Sequence, residues 1–152
     1  MKKEHLEYLE KIGIKPPIRD RIEQIYEFYS EICPEEIEVV FVSDYNKEDG
    51  SRIYEQCRFY SKHFVMVADN FLQADDFSFF NSSSLRIFGI RIEKKHYDFK
   101  KANDKSRMIL VVEFEDNIMA HIKATKENCD YLKVLMQKRY MPSVCSLASQ
   151  KT

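Results

Sequence analysis

The chain has 152 residues, of which 44% are hydrophobic and 32% are charged. This length is typical of one domain that buries its own core, and the composition excludes a disordered or fibrous protein. Its 24 basic and 25 acidic residues nearly balance, so no overall field attracts nucleic acid or anionic lipid.

Two helices are predicted at the start of the chain. Leu6, Leu9 and Ile12 recur at helical spacing, and the prolines that follow end this first helix. A second helix is predicted from Pro17 to the residue before Pro34, because its Ile and Tyr residues recur every three or four positions. Its apolar stripe must be covered, either by the sheet or by a second copy in a homodimer.

A β-rich body is predicted to follow these helices. Runs of β-branched and aromatic residues occur at 37–43, 52–60 and 63–68. Asp49-Gly50 predicts a hairpin turn between the first two runs, because Gly accepts the positive φ of such turns. Residues 69–84 are predicted to form a loop with a short strand near residues 77–80, and residues 85–93 a further strand.

A second hairpin and a closing helix are predicted at the end of the chain. Residues 107–124 contain two strand-like runs divided by Asp116-Asn117. Thr125 is suited to the N-cap of a helix, and apolar residues then recur at helical spacing up to Pro142. The sequence therefore predicts an α+β fold with two N-terminal helices, antiparallel strands and a closing C-terminal helix.

Three segments of the C-terminal half carry a resemblance to a known family. They are 85–93 (LRIFGIRIE), 109–124 (ILVVEFEDNIMAHIKA) and 125–140 (TKENCDYLKVLMQKRY). Together they resemble the last strands, hairpin and capping helix of the pleckstrin-homology-type barrel, particularly its small bacterial versions. The resemblance implies a partly open antiparallel barrel that serves as a recognition scaffold.

The resemblance does not imply the best-known ligand of that family. Lipid-binding members have a Trp in the closing helix and clustered cations in the first hairpin loop, whereas this chain has no Trp. Its hairpin mixes Lys47 and Arg52 with carboxylates, which disfavours an inositol phosphate site. The carboxylates Asp44, Asp49 and Glu55 lack the spacing of a calcium loop and are predicted to be solvated at the hairpin.

The predicted organisation is one globular unit with three parts. These are a helical extension at 1–35, a barrel with its capping helix at 36–142 and a flexible tail at 143–152. Four widely spaced Cys residues without a CxxC pair predict reduced thiols. A cytoplasmic location is expected, because the first residues lead into a charged amphipathic segment rather than an apolar signal region.

No catalytic, cofactor or metal site is predicted. His96 and Asp98 would share a face of an extended segment, and His121 lies in a predicted strand, but no nucleophile or metal partner accompanies them. With three glycines in the chain, a phosphate-binding loop cannot be assembled. A small enzyme is therefore the least favoured function.

Two binding functions remain at the sequence level. Phe77, Phe79 and Phe80 lie in a polar segment and either fold back as core or anchor a protein partner. The favoured hypothesis is a non-enzymatic adaptor module that recognises a protein segment through these residues. The alternative is peripheral binding to anionic lipid through a basic strip, Lys94, Lys95, Lys100 and Lys101. Nucleic-acid binding is disfavoured, because aromatic residues are not regularly interleaved with the basic residues of this region.

Overall fold

The computed structural model describes residues 1–47, 49–81, 86–95 and 107–142. These residues form helices and strands in an order close to the predicted one. The elements are α1 (Lys3–Lys11), α2 (Pro16–Ile32), β1 (Val39–Asn46), β2 (Arg52–Tyr60), β3 (Phe64–Asp69), β4 (Asp76–Asn81), β5 (Ile87–Lys95), β6 (Arg107–Phe114), β7 (Met119–Ala124) and α3 (Cys129–Leu135). A wider helical turn, Met136–Tyr140, continues α3.

The strands form two sheets. The first has the order β1-β2-β3-β4 and the second the order β5-β6-β7, with antiparallel pairing from β2 to β4 and from β5 to β7. The predicted α+β class, with two N-terminal helices and a closing helix, is confirmed. In the described part of the chain the strands form no closed barrel, so the pleckstrin-homology-type barrel stays a prediction.

The described residues cluster into two compact units. The first takes residues from Met1–Ser43 and Tyr54–Ser83, and the second takes residues from Asp44–Ile53 and Ser84–Thr152. Strands β1 and β2 therefore contribute residues to both units.

In the first unit, the apolar stripe of α2 packs on the sheet. The prolines at the start of α2 fit its first turn, where a backbone N–H has no helical acceptor. The Tyr26 and Tyr29 rings of α2 lie 6.0 and 5.9 Å from the ring of Phe59 in β2. Ile22 and Ile25 are also buried. The sheet therefore covers the middle of the stripe, whereas Ile32 at its end is 53% exposed. The homodimer stays a prediction.

The second unit is built around β6. Residues 108–112 of β6 are buried throughout, and β6 lies between β5 and β7. Asp116 and Asn117 in the β6–β7 turn have φ angles of 63° and 60°, a left-handed conformation that Asp and Asn tolerate better than most residues. This turn confirms the predicted hairpin.

The start of the closing helix differs from the prediction. Helix α3 begins at Cys129 with Asn128 as its N-cap residue, so Thr125 does not cap it. The main-chain N–H and the hydroxyl of Thr125 lie 3.4 Å from the carboxylate of Asp44 instead. Thr125, which the local sequence pattern predicted as the N-cap, is thus hydrogen-bonded to Asp44, a residue distant in sequence.

Candidate functional site

Strand β4 lies at the edge of the first sheet. It pairs with β3 on one side, and no strand lies on its other side within the residues described. Alternate main-chain N–H and C=O groups of an edge strand point away from its sheet. β4 therefore offers a row of hydrogen-bonding groups to an additional strand.

The phenylalanines of β4 alternate between the two faces of this sheet. On the face that meets α2, Phe77 stacks on Phe28 with 5.3 Å between ring centroids, and Phe79 meets Tyr29 at 5.8 Å. Phe80 lies on the opposite face, where its register partner in β3 is Val65. The short strand predicted near residues 77–80 is confirmed.

Contact with α2 leaves these rings substantially exposed. The exposed fractions are 45% for Phe28, 37% for Phe77, 45% for Phe79 and 40% for Phe80. Isolated exposed apolar residues are common, but contiguous apolar patches on a monomer often mark an interaction site. We call Phe28, Phe77, Phe79, Phe80 and the outer edge of β4 the β4 surface.

A groove between α2 and β4 extends this surface. It has a volume of about 280 Å³ and is lined by Arg21, Gln24, Ile25, Phe28, Asp75 and Phe77. The guanidinium of Arg21 donates to the Phe71 carbonyl at 2.9 Å and pairs with the carboxylate of Asp75. One end of the groove is therefore an ion pair, and its walls are largely apolar.

Two of the four predicted lipid-binding lysines lie within the described residues. Lys94 and Lys95 belong to β5, where their register partners are Met108 and Arg107. Lys100 and Lys101 lie outside the described residues. The lipid site stays a prediction.

Of the three candidate catalytic residues, the structure describes His121. His121 is exposed on β7 with Val111 as its register partner, while His96 and Asp98 lie outside the described residues. Among the described side chains, no group of three or more His, Cys, Asp or Glu could hold a metal ion.

In the second unit, the prediction that Asp44 is solvated at the hairpin is wrong. Its side chain is completely buried, and it forms an ion pair with Arg52. Asn128 donates through Nδ2 to the same carboxylate at 3.0 Å. Burial raises the pKa of Asp44, and the charge of Arg52 and the hydrogen bond from Asn128 oppose this rise.

The Asp44 network has a structural role. β1 extends as far as Asn46, so Asp44 belongs to a strand rather than to the turn. Its donors Thr125 and Asn128 lie just before α3, which attaches the β1–β2 hairpin to the start of that helix. Local motifs could not reveal this site, because Thr125 and Asn128 lie more than 80 residues from Asp44 in sequence.

A second polar pair missed at the sequence level closes the β2–β3 turn. His63 Nδ1 lies 2.5 Å from Glu35 Oε1, and the main-chain N–H of His63 donates to Glu35 Oε2 at 2.8 Å. These hydrogen bonds lower the pKa of Glu35. The hydroxyl of Ser61 also lowers the pKa of Glu35 through a hydrogen bond. The pair therefore attaches the turn to the segment after α2.

Comparison with known proteins adds no assignment to this geometry. No protein family, curated protein or solved structure matches the chain. None of the helices in the described ranges is long and apolar enough to cross a membrane. The β4 surface is the feature from which a function can be proposed.

Proposed function

We propose that this protein is a non-enzymatic binding module that recognises an extended segment of another protein at the β4 surface. The observation that carries the proposal is the set of half-exposed phenylalanines on an edge strand. An added strand would satisfy the outward N–H and C=O groups of β4, while its alternate side chains contact the rings. Main-chain pairing would supply affinity, and the groove beside α2 would supply side-chain selection.

The position of the rings supports a protein partner over a lipid surface. Phe77 stacks on Phe28 of α2, and Phe79 contacts Tyr29 of α2. These rings are therefore packed between a strand and a helix rather than carried on a projecting loop. Asp75 and Asp76 precede these rings and are exposed. Anionic headgroups would be repelled by such carboxylates.

We propose in addition a fold type and a cellular location for the protein. A partly open pleckstrin-homology-type arrangement is supported by the order of antiparallel strands followed by α3. A cytoplasmic location is supported by Cys33, Cys57 and Cys129, which form no disulfide in the described part of the chain, since oxidising compartments favour disulfides.

A displayed library of random peptides, selected on the full chain, tests this function. Selected peptides should bind the wild type and lose about tenfold or more in affinity to the Phe79→Ser and Phe80→Ser variants, as expected for central aromatic contacts. Phe88→Ser is the matched control, because Phe88 is 63% exposed but belongs to the second unit. It should leave affinity unchanged.

Amide hydrogen exchange then distinguishes strand addition from other binding. A bound peptide should slow exchange of alternate amides within β4, because only an added strand covers its outer edge. Circular dichroism of each variant verifies its fold. Equal affinity for Phe79→Ser, Phe80→Ser and wild type, or slowed exchange confined to the second unit, would refute the function.

A further inference from the structure

The charges around the β4 surface are predominantly negative. Helix α2 carries four carboxylates and two guanidinium groups, and residues 75–81 add two carboxylates and no cation. Of the two guanidiniums, that of Arg21 is already paired with Asp75. Glu27 and Glu31 are exposed, and Glu31 neighbours Phe28 on the helix surface at a spacing of three residues. Outside that ion pair, carboxylates remain on α2 and at Asp76, the first residue of β4.

Two of the carboxylates in this sheet directly oppose each other. Asp76 of β4 is the register partner of Asp69 of β3, and side chains of opposed residues share a face of the sheet. Asp69 accepts a hydrogen bond from Gln56 Nε2 at 2.5 Å, whereas Asp76 is exposed at the sheet edge. Like charges in this arrangement destabilise a strand pair. A cation on the far side of Asp76 would reduce that repulsion.

The two faces of β4 differ in what they offer an added strand. On the α2 face the neighbours are the rings of Phe28, Phe77 and Phe79. On the other face the residues of β4 are Asp76, Ser78 and Phe80, and the first of them carries a carboxylate. Successive side chains of a strand point to opposite faces, so a matching segment alternates between apolar and cationic residues.

From this geometry we infer that the partner of the β4 surface is an extended protein segment in which apolar residues alternate with Lys or Arg. The inference rests on the proposed function and specifies its ligand. Apolar side chains of the segment fill the groove against Phe28 and Phe77, and its cations lie on the opposite face of the sheet, near Asp76. A second copy of this chain fits less well, because it would place the same carboxylates on both sides of the contact.

Three synthetic peptides of seven residues test the inference on the full chain. Each is capped, carries a fluorophore and alternates Val with one other residue, which is Lys in the first, Thr in the second and Glu in the third. Fluorescence anisotropy should show the Lys peptide binding about tenfold more tightly than the Thr peptide, and the Glu peptide binding most weakly. Raising NaCl from about 0.05 to 0.5 M should reduce this difference, because exposed charges are screened.

Two isosteric variants localise the effect. Asp76→Asn should reduce the preference for Lys over Thr by about threefold or more, while retaining affinity for the Thr peptide. Asp116→Asn is the matched control, since Asp116 is an exposed carboxylate of the second unit whose φ of 63° Asn also accepts. It should leave the preference unchanged.

The outcomes separate the inference from the function on which it rests. If all three peptides slow amide exchange in β4 with similar affinity, the function is supported and the charge inference is wrong. If none of them protects β4, both are wrong. If sedimentation shows a dimer of the free protein that Phe79→Ser abolishes, the occupant is a second copy and the inference is overturned.

Discussion

Replacing Asp44 by Asn tests the role assigned to the buried carboxylate of the second unit. Asn has almost the same shape as Asp but carries no charge, so the substitution removes the counter-charge of Arg52 without opening a cavity. The side chain of Asp44 is fully buried, and that of Arg52 is 19% exposed. The cost arises mainly because a largely buried guanidinium loses the carboxylate with which it forms an ion pair.

The magnitude follows from this burial. Removing one partner of a buried ion pair typically costs about 3 to 5 kcal/mol. Arg52 retains some access to water, so we expect the lower end, about 3 kcal/mol of unfolding free energy. With a urea dependence of about 2 kcal/mol per molar for a chain of this size, the unfolding midpoint should fall by about 1.5 M.

Urea titration followed by far-ultraviolet circular dichroism measures this shift. Asp49→Asn is the control in the same hairpin, because Asp49 is exposed and accepts hydrogen bonds from nearby Ser51; its cost should stay below about 1 kcal/mol. Amide exchange in α3 should rise in Asp44→Asn. A midpoint within about 0.3 M of the wild type would refute the assigned role.

Two further outcomes are expected from buried groups of the first unit. Burial lowers the pKa of His5 from its ordinary value of 6.5. As the pH drops through 6.5, the unfolded chain therefore binds a proton before the folded protein does, and the free energy of unfolding should fall. Urea midpoints between pH 7.5 and 5.5 should show this loss in the wild type and not in His5→Gln. Burial also raises the pKa of the Cys57 thiol. Iodoacetamide should therefore modify Cys57 at least about tenfold more slowly than Cys129, as measured by mass spectrometry of the native protein. Equal rates would contradict the burial of Cys57.

Local signals predicted the elements that depend on local chemistry. The period of α2 and the left-handed turn at Asp116-Asn117 follow from residues close in sequence, and the structure contains both. The start of α3 was placed wrongly because Thr125 is engaged by Asp44, a residue 81 positions earlier. Such long-range pairs leave no periodicity to read.

The candidate site was likewise predicted only in part from the sequence. A strand near residues 77–80 could be predicted from its aromatic residues, but their exposure depends on which strand ends the sheet. That order is set by pairing between strands, here β3 with β4, and pairing is not encoded in any single segment. The β4 surface therefore became visible only with the topology.

The composition of β4 supports a partner for its edge. Natural proteins commonly protect exposed edge strands with Lys, Pro or a covering element, because an open edge promotes aggregation. The sequence of β4, DFSFFN, contains neither Lys nor Pro and carries three phenylalanines. Its one charged side chain is Asp76, which lies opposite another carboxylate, Asp69. A carboxylate at this position discourages pairing between two copies of β4 and favours a cationic strand, so the same residue that protects the edge also selects its partner.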